Sequence, residues 1–256
     1  MQGSHQPAEP APSASATVTL SAPTVAAEKP QARAVALSRL PANLRARVPR
    51  FAPPPPAAPK VKVPADGTAG WFSRIPTDQK VAFITIDDGW VKHPLALRLL
   101  EAADVPVTLF LEVDAIRSDP QYFAELQSAG ATIENHTISH PNLKGRSYAA
   151  QKHEICGGAD QLATHFGRRP VLFRPPFGSH DHTTLRASHD CGMKAAFFWK
   201  ETTNKGKVRF QEGSAVKPGD IILMHFRDRF PDDFLAVLQA VHRAGLTPAR
   251  LEDYLP

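Results

Sequence analysis

Asp87 and Asp88 close an apolar run in "VAFITIDDGW". Side by side, two carboxylates repel, so they need water, a cation or separate tasks. His136 and His140 follow another apolar run, in "ATIENHTISHP"; Arg174 follows a third, in "VLFRPPFG"; and His225 ends a fourth, "IILMH". A carboxylate with two imidazoles is a metal-ligand set. Two neutral imidazoles and one oxygen suit Zn²⁺ and leave a position open for water. The spacing of His136 and His140 can place both rings on one side of a helical turn or a tight loop. Pro141 argues against a helix continuing past His140, because the residue before a proline disfavours the helical region. The pair is therefore expected on a loop or single turn. A zinc-protease helix needs HExxH; here Thr137, Ile138 and Ser139 intervene, and that chemistry drops out. One aspartate can then face the cation while the other lies where a general base must be.

Each feature alone is weak, since the chain has 11 histidines and adjacent aspartates are common. Their shared position is the stronger signal. Near-continuous apolar runs at 80–86, 105–113, 131–135, 170–176, 193–199 and 219–226 read as strands. Helical spacing appears at 94–103, 119–130, 148–167, 182–192 and 232–245. Continuous rather than alternating apolar strands signify parallel strands covered on both faces. The pattern predicts an α/β domain, a distorted or incomplete (β/α) barrel of about seven parallel strands. A doubly wound open sheet is the alternative. In either, the C-terminal strand ends face the site, and four of them carry the groups named above. Gly157 and Gly158 weaken the 148–167 helix.

Residues 1–67 are rich in Ala, Pro, Ser and Val and include "FAPPPPAAPK". With few large apolar residues, ordering them buries little surface to offset the entropy lost. They are expected to form a disordered tether, ahead of a catalytic domain at 68–256. "SRLPANLRARVPR" is basic, and anionic cell-envelope polymers are a candidate partner for it. The whole chain carries a net charge of +5 and a sequence pI near 9.3, a mild excess that identifies no partner by itself. The folded part lacks the basic, aromatic-interleaved face that nucleic acid requires. No apolar run is long enough to span a bilayer, and the first residues lack the basic and apolar runs of an intact signal peptide. Cys156 and Cys191 are one disulfide of an exported protein or two buried thiols.

The order "TIDDG", "HTISHP", "RPPFG", "LMH" resembles the NodB-homology polysaccharide deacetylases, carbohydrate esterase family four, over about residues 75–250. The resemblance implies a distorted barrel and metal-dependent removal of acetyl groups from sugars outside the cytoplasm, by a secreted or envelope-associated chain. It implies Asp87 as catalytic base, and Asp88, His136 and His140 as ligands of Zn²⁺, with Co²⁺ or another divalent transition metal possible. Arg174 matches the residue that holds the base, and His225 the general acid. Phe177 replaces a tyrosine whose backbone N–H helps bind the oxyanion. Trp199, Leu223, Trp90 and Pro175 are candidate substrate contacts, Leu223 against the acetyl methyl.

The chain departs from the family at one point. The family carries an aspartate beyond the "FFW"-like strand that orients the acidic histidine; "WKETTNKGKVRF" has none. Glu201 could substitute, or something else could orient His225. Asp181, in "GSHDHTT", is expected to cap a helix, with His180 and His182 in solvent. Three functions follow: an N-deacetylase of peptidoglycan or a chitin-like glycan, an O-acetyl esterase of xylan type, or a catalytically weak metal-containing glycan-binding protein. A monomer is expected.

Overall fold

A computed structural model describes residues 25–56 and 60–256, with Met1 and Gly3. In chain order its elements are α1 (Val25–Ser38), α2 (Ala42–Arg45), β1 (Gly70–Phe72), β2 (Val81–Asp88), α3 (Ala96–Ala103), β3 (Thr108–Leu111), α4 (Val113–Ile116), α5 (Pro120–Ser128) and β4 (Thr132–Asn135). They continue with α6 (Tyr148–Phe166), β5 (Leu172–Phe173), α7 (His182–Asp190), β6 (Ala195–Phe197), β7 (Glu201–Asn204), β8 (Lys207–Phe210), β9 (Ile221–His225), α8 (Phe230–Arg243) and β10 (Thr247–Pro248).

The strands form one curled sheet in the order β1-β6-β5-β4-β3-β2-β9-β7-β8, with β10 beside the start of β2. Every strand pair is parallel except β7 with β8. Between β1 and β9 the barrel is drawn together by other means. The Ile75 N–H donates to Gly219 O at 2.8 Å, and Arg74 Nε donates to Asp220 Oδ1 at 2.5 Å. Gly219 has φ +81°, and a Cβ there would lie 2.0 Å from Ile75 O, so only glycine allows this closure.

Side chains of β2 alternate between two cores. Val81 and Phe83 join Ile75, Phe110, Leu172, Phe197 and Ile221 inside the barrel. Ala82, Ile84 and Ile86 join the layer beneath α3 and α8. Each large apolar side chain so buried contributes about 1.5–3 kcal/mol relative to exposure. Thr85 and Asp87 continue the interior face of β2, which carries the polar site above the apolar interior.

Residues 25–56 and 60–67 differ from the expected tether. Ala36, Leu40 and Leu44 are buried in the outer core, with Leu37, Val48 and Phe51 packed against it. Arg47 Nη1 pairs with Asp232 at 3.1 Å, and the Val61 N–H donates to Tyr254 O at 2.9 Å. A few well-spaced apolar side chains suffice here because α3 and α8 present an apolar stripe for them to cover. The expectation for residues 4–24 falls outside the described residues.

Candidate active site

The sequence of β2 places neighbouring side chains on opposite faces, yet both aspartates reach one centre. Asp88 adopts φ +74°, and this left-handed turn at the strand end brings its carboxylate back over the interior face. Asp87 Oδ2 lies 3.8 Å and Asp88 Oδ1 3.5 Å from His136 Nε2, and Asp88 Oδ1 lies 3.7 Å from His140 Nε2. One ligand atom from each of Asp88, His136 and His140 falls within 4.8 Å of the others.

These three residues fit a divalent cation. His136 Nδ1 lies 2.6 Å from Arg174 O; a carbonyl only accepts, so the proton is on Nδ1 and the Nε2 lone pair faces the centre. Asp88 Oδ1 is buried without a hydrogen-bond partner. Burial works to raise the Asp88 pKa, but His136, its Nε2 3.5 Å away, and the more distant His225 and His140 outweigh it electrostatically, and the carboxyl is held down at about 2. Burial opposes a charge on His136, but Asp87 and Asp88 prevail and raise its pKa. The same carboxylates favour a divalent cation in place of that proton.

The loop after β4 is held from several sides. Asn135 Oδ1 accepts the Thr137 N–H at 3.0 Å, and Thr137 Oγ1 accepts the His140 N–H at 3.0 Å. Glu154 of α6 accepts the N–H groups of Ile138 and Ser139 and the Ser139 hydroxyl. Thr137 and His140 both have positive φ, +76° and +55°, a single tight turn as expected rather than a helix. The glycines of α6 now have a reason. A Cβ at Gly158 would lie 2.5 Å from Asn135 Oδ1 and 3.0 Å from Thr137 C, and one at Gly157 would strike Ile138. Helix propensity is given up so that the histidine loop can rest on the helix.

Arg174 is fully buried in the barrel. Its Nη1 donates to Asp87 Oδ1 and to Thr85 Oγ1, each at 2.7 Å, and its guanidinium lies over the Phe110 ring, 4.4 Å from the centroid. His225 is the register partner of Asp87 across β2 and β9. Burial lowers its pKa, while Asp87 and Asp88 pull the other way. Its Nδ1 has no hydrogen-bond partner among the described residues. Glu201 does not take that role. It pairs in register with Ile222, below His225, and its carboxyl lies beside Asp220 near Arg74. Burial and Asp220 push its pKa well above the carboxylate range.

Phe177 has φ +62°, and its N–H makes no hydrogen bond among the described residues. Its ring is exposed and meets His140 edge-on at 4.7 Å. Trp199 stacks on Phe198 at 4.0 Å with the Arg174 guanidinium 5.8 Å from its ring. Leu223 shares the interior face of β9 with His225. Trp90 is exposed at the rim. Pro175 is buried, its carbonyl taking the Gly178 N–H, so it presents little surface to a substrate. Asp181 caps α7 in a reciprocal pair with Thr184. His182 is exposed, but His180 stacks on Trp71 at 3.7 Å rather than standing in solvent. Cys156 of α6 and Cys191, just after α7, form a disulfide.

Sequence reasoning missed Glu112 and Glu154. Glu112 follows β3 as Asp87 and Asp88 end β2, so the strand-end rule reaches it. Glu154 lies mid-helix, where only the fold reveals its loop contacts.

A family profile for polysaccharide deacetylases matches residues 74–196. An uncharacterized protein of Streptomyces coelicolor is 38% identical over 187 residues, 70% of this chain and 74% of that protein. A peptidoglycan-N-acetylglucosamine deacetylase of Bacillus cereus is 25% identical over 160 residues, 59% of this chain and 75% of that one. Among solved structures, a carbohydrate esterase family four pseudoenzyme from Bacillus anthracis shares the fold with TM-score 0.65 at 20% identity, covering 74% of this chain and 70% of that chain.

Proposed function

Since the chain belongs to the polysaccharide deacetylase family, we propose that it removes acetyl groups from an N-acetylated glycan, peptidoglycan or chitin-like, with Asp87 as base and His225 as acid. Relatives bear the names peptidoglycan, chitooligosaccharide and xylan deacetylase. The observation that carries the reading is the pairing of Asp87 with Arg174 at 2.7 Å beside the Asp88, His136 and His140 set.

Asp88, His136 and His140 would hold the divalent ion, with zinc the first candidate for this donor set and cobalt a second. When bound, the ion supplies Lewis acidity, which polarises a carbonyl and eases deprotonation of water. Asp87, held by Arg174, takes the proton of the attacking water through its remaining oxygen. The Phe177 N–H is available to stabilise the oxyanion that develops on the acetyl group. His225, across the strand pair, protonates the departing sugar nitrogen. Leu223 and Trp199 wall the acetyl and sugar positions. Extracytoplasmic work at the cell envelope suits this substrate, and residues 29–65, with eight basic side chains and no acidic one, suit contact with anionic envelope polymers. No helix of the described residues is long and apolar enough to cross a membrane.

The same residues serve an ester, so acetylated xylan and N-acetylated oligosaccharides run side by side separate the two bonds. Faster turnover of the ester assigns the chain to the xylan type. A second reading rests on the orphaned Nδ1 of His225: without a carboxylate to orient its ring, the chain binds metal and glycan and turns over slowly. A rate matching a relative that has the aspartate removes that reading.

A further inference from the structure

The end of the barrel opposite the candidate active site carries a hollow that the proposed reaction does not use. The N-terminal segment crosses this end at residues 50–54. With the loops at 103–106 and 128–130 and the stretch from Thr247 to Asp253, it encloses a cleft of about 700 Å³. Thr247 pairs in register with Val81 at the start of β2, while Asp87 lies near the other end of that strand. At ~3.3 Å per residue, the cleft and the catalytic rim stand about 20 Å apart along the strand.

Three arginines line the cleft: Arg33 of α1, Arg50 and Arg250. Arg33 is half-buried and its Nη2 donates to Pro49 O at 3.2 Å, while Arg250 Nη1 donates to Thr132 Oγ1 at 3.3 Å. Arg50 is exposed. Among the described residues, none of the three pairs with a carboxylate. Asp104, left-handed at the end of α3, and Asp253 line the same cleft without reaching an arginine. Both signs of charge thus face one hollow and do not neutralise each other. A ligand that meets both needs anionic groups for the guanidinium forks and hydroxyls for the carboxylates. Phosphodiesters joined by polyol units offer the two in alternation. Inorganic polyphosphate lacks the hydroxyls, and a neutral glycan lacks the charge. A hollow of this size admits a chain, whereas a flat lipid surface would leave its floor empty. Four of the five charged residues lie outside residues 74–196, the stretch that matches the family profile, so the family match does not account for the cleft.

We infer that this cleft binds a polyol phosphodiester polymer, with Arg33, Arg50 and Arg250 on its phosphates and Asp104 and Asp253 on its hydroxyls. The polymer holds the protein at the end of the barrel remote from the catalytic rim and leaves that rim open. This rests on the envelope contact proposed for the basic N-terminal segment, to which it gives a place and a ligand. It requires neither the metal nor the deacetylation chemistry.

The test is calorimetric titration of the whole chain with an oligo(glycerol phosphate), beside inorganic polyphosphate of equal phosphate number and phosphatidylglycerol vesicles. The oligo(glycerol phosphate) should bind, with affinity falling as salt rises. Arg50→Gln and Arg250→Gln should each lower that affinity roughly 5- to 10-fold and reduce the salt slope by about one. Arg33→Gln should do the same; since Arg33 also holds Pro49, the other two variants decide if this one loosens the N-terminal segment. Arg45→Gln, exposed on α2 and outside the cleft, should change little. Asp104→Ala should weaken the oligo(glycerol phosphate) and strengthen polyphosphate. Acetate release from a short soluble N-acetylated oligosaccharide should be unaffected by the cleft variants. No binding, an equal loss in Arg45→Gln and Arg50→Gln, equally tight polyphosphate, or binding to the vesicles alone overturns the proposal. So does acetate release that falls with Arg50→Gln. Binding without acetate release from any glycan keeps the cleft and removes the deacetylase reading; release without binding does the reverse.

Discussion

Arg174 and Asp87 form a 2.7 Å ion pair inside the barrel, and neither side chain is more than 3% exposed. A buried carboxylate depends on its cation, because removing one partner strands the other charge. Arg174→Met should therefore cost about 3–5 kcal/mol in urea unfolding, as well as activity. A loss under about 1 kcal/mol, the range of exposed pairs, would show that Asp87 does not depend on Arg174.

Gly158 is the residue on which the histidine loop rests. Gly158→Ala places a methyl against Asn135 Oδ1 and the Thr137 backbone. Zinc affinity should fall about 10- to 100-fold, the usual cost of disturbing the support of a ligand, while circular dichroism stays that of the folded chain. Unchanged affinity would mean that the loop reaches its position without this close approach.

Glu201 and Asp220 share a buried position below His225. A carboxyl whose folded pKa lies above its unfolded value keeps its proton in the fold. Its contribution is complete below the ordinary glutamate value and is lost as pH rises from there toward the raised pKa. Relative to the unaltered protein, Glu201→Gln should gain stability steadily from pH 5 to pH 8, read by urea unfolding at each pH. A constant difference across that range contradicts the assignment.

The Cys156–Cys191 disulfide spans 35 residues and ties α6, which carries Glu154 and Gly158, to the end of α7. Closing a loop of that length stabilises by about 3–4 kcal/mol in the chain-entropy view. Replacing both cysteines by serine should lower the unfolding free energy by that order. It should weaken zinc binding less than Gly158→Ala does, since the loop contacts themselves remain.

Much of this was legible in the sequence because the strands are continuous apolar runs and the polar residues stand just past them. The six expected strands and five expected helices are present, with ends shifted by a few residues. The pairing of Asp87 with Arg174 and the grouping of Asp88, His136 and His140 follow from one rim shared by parallel strands. The β7–β8 hairpin was hidden because "ETTN" and "KVRF" are polar edge strands with little apolar signal. The docking of α1 and α2 was hidden because Ala36, Leu40 and Leu44 are sparse among prolines, and what they cover lies far along the chain. Glu201 could not be placed from sequence. Only the register of β7 against β9 shows that it sits a turn of the pleat too low to meet His225.

Acetate release from N-acetylated glycans tests the central claim most directly. It is measured with zinc or cobalt, after chelation, and with Asp87→Asn whose metal content is determined alongside. The predicted result is release that chelation abolishes and metal restores, reduced about 100-fold or more in Asp87→Asn, as expected for loss of a general base, while the variant still binds metal. No release from any acetylated glycan with metal present, or release undiminished in Asp87→Asn, would contradict the account.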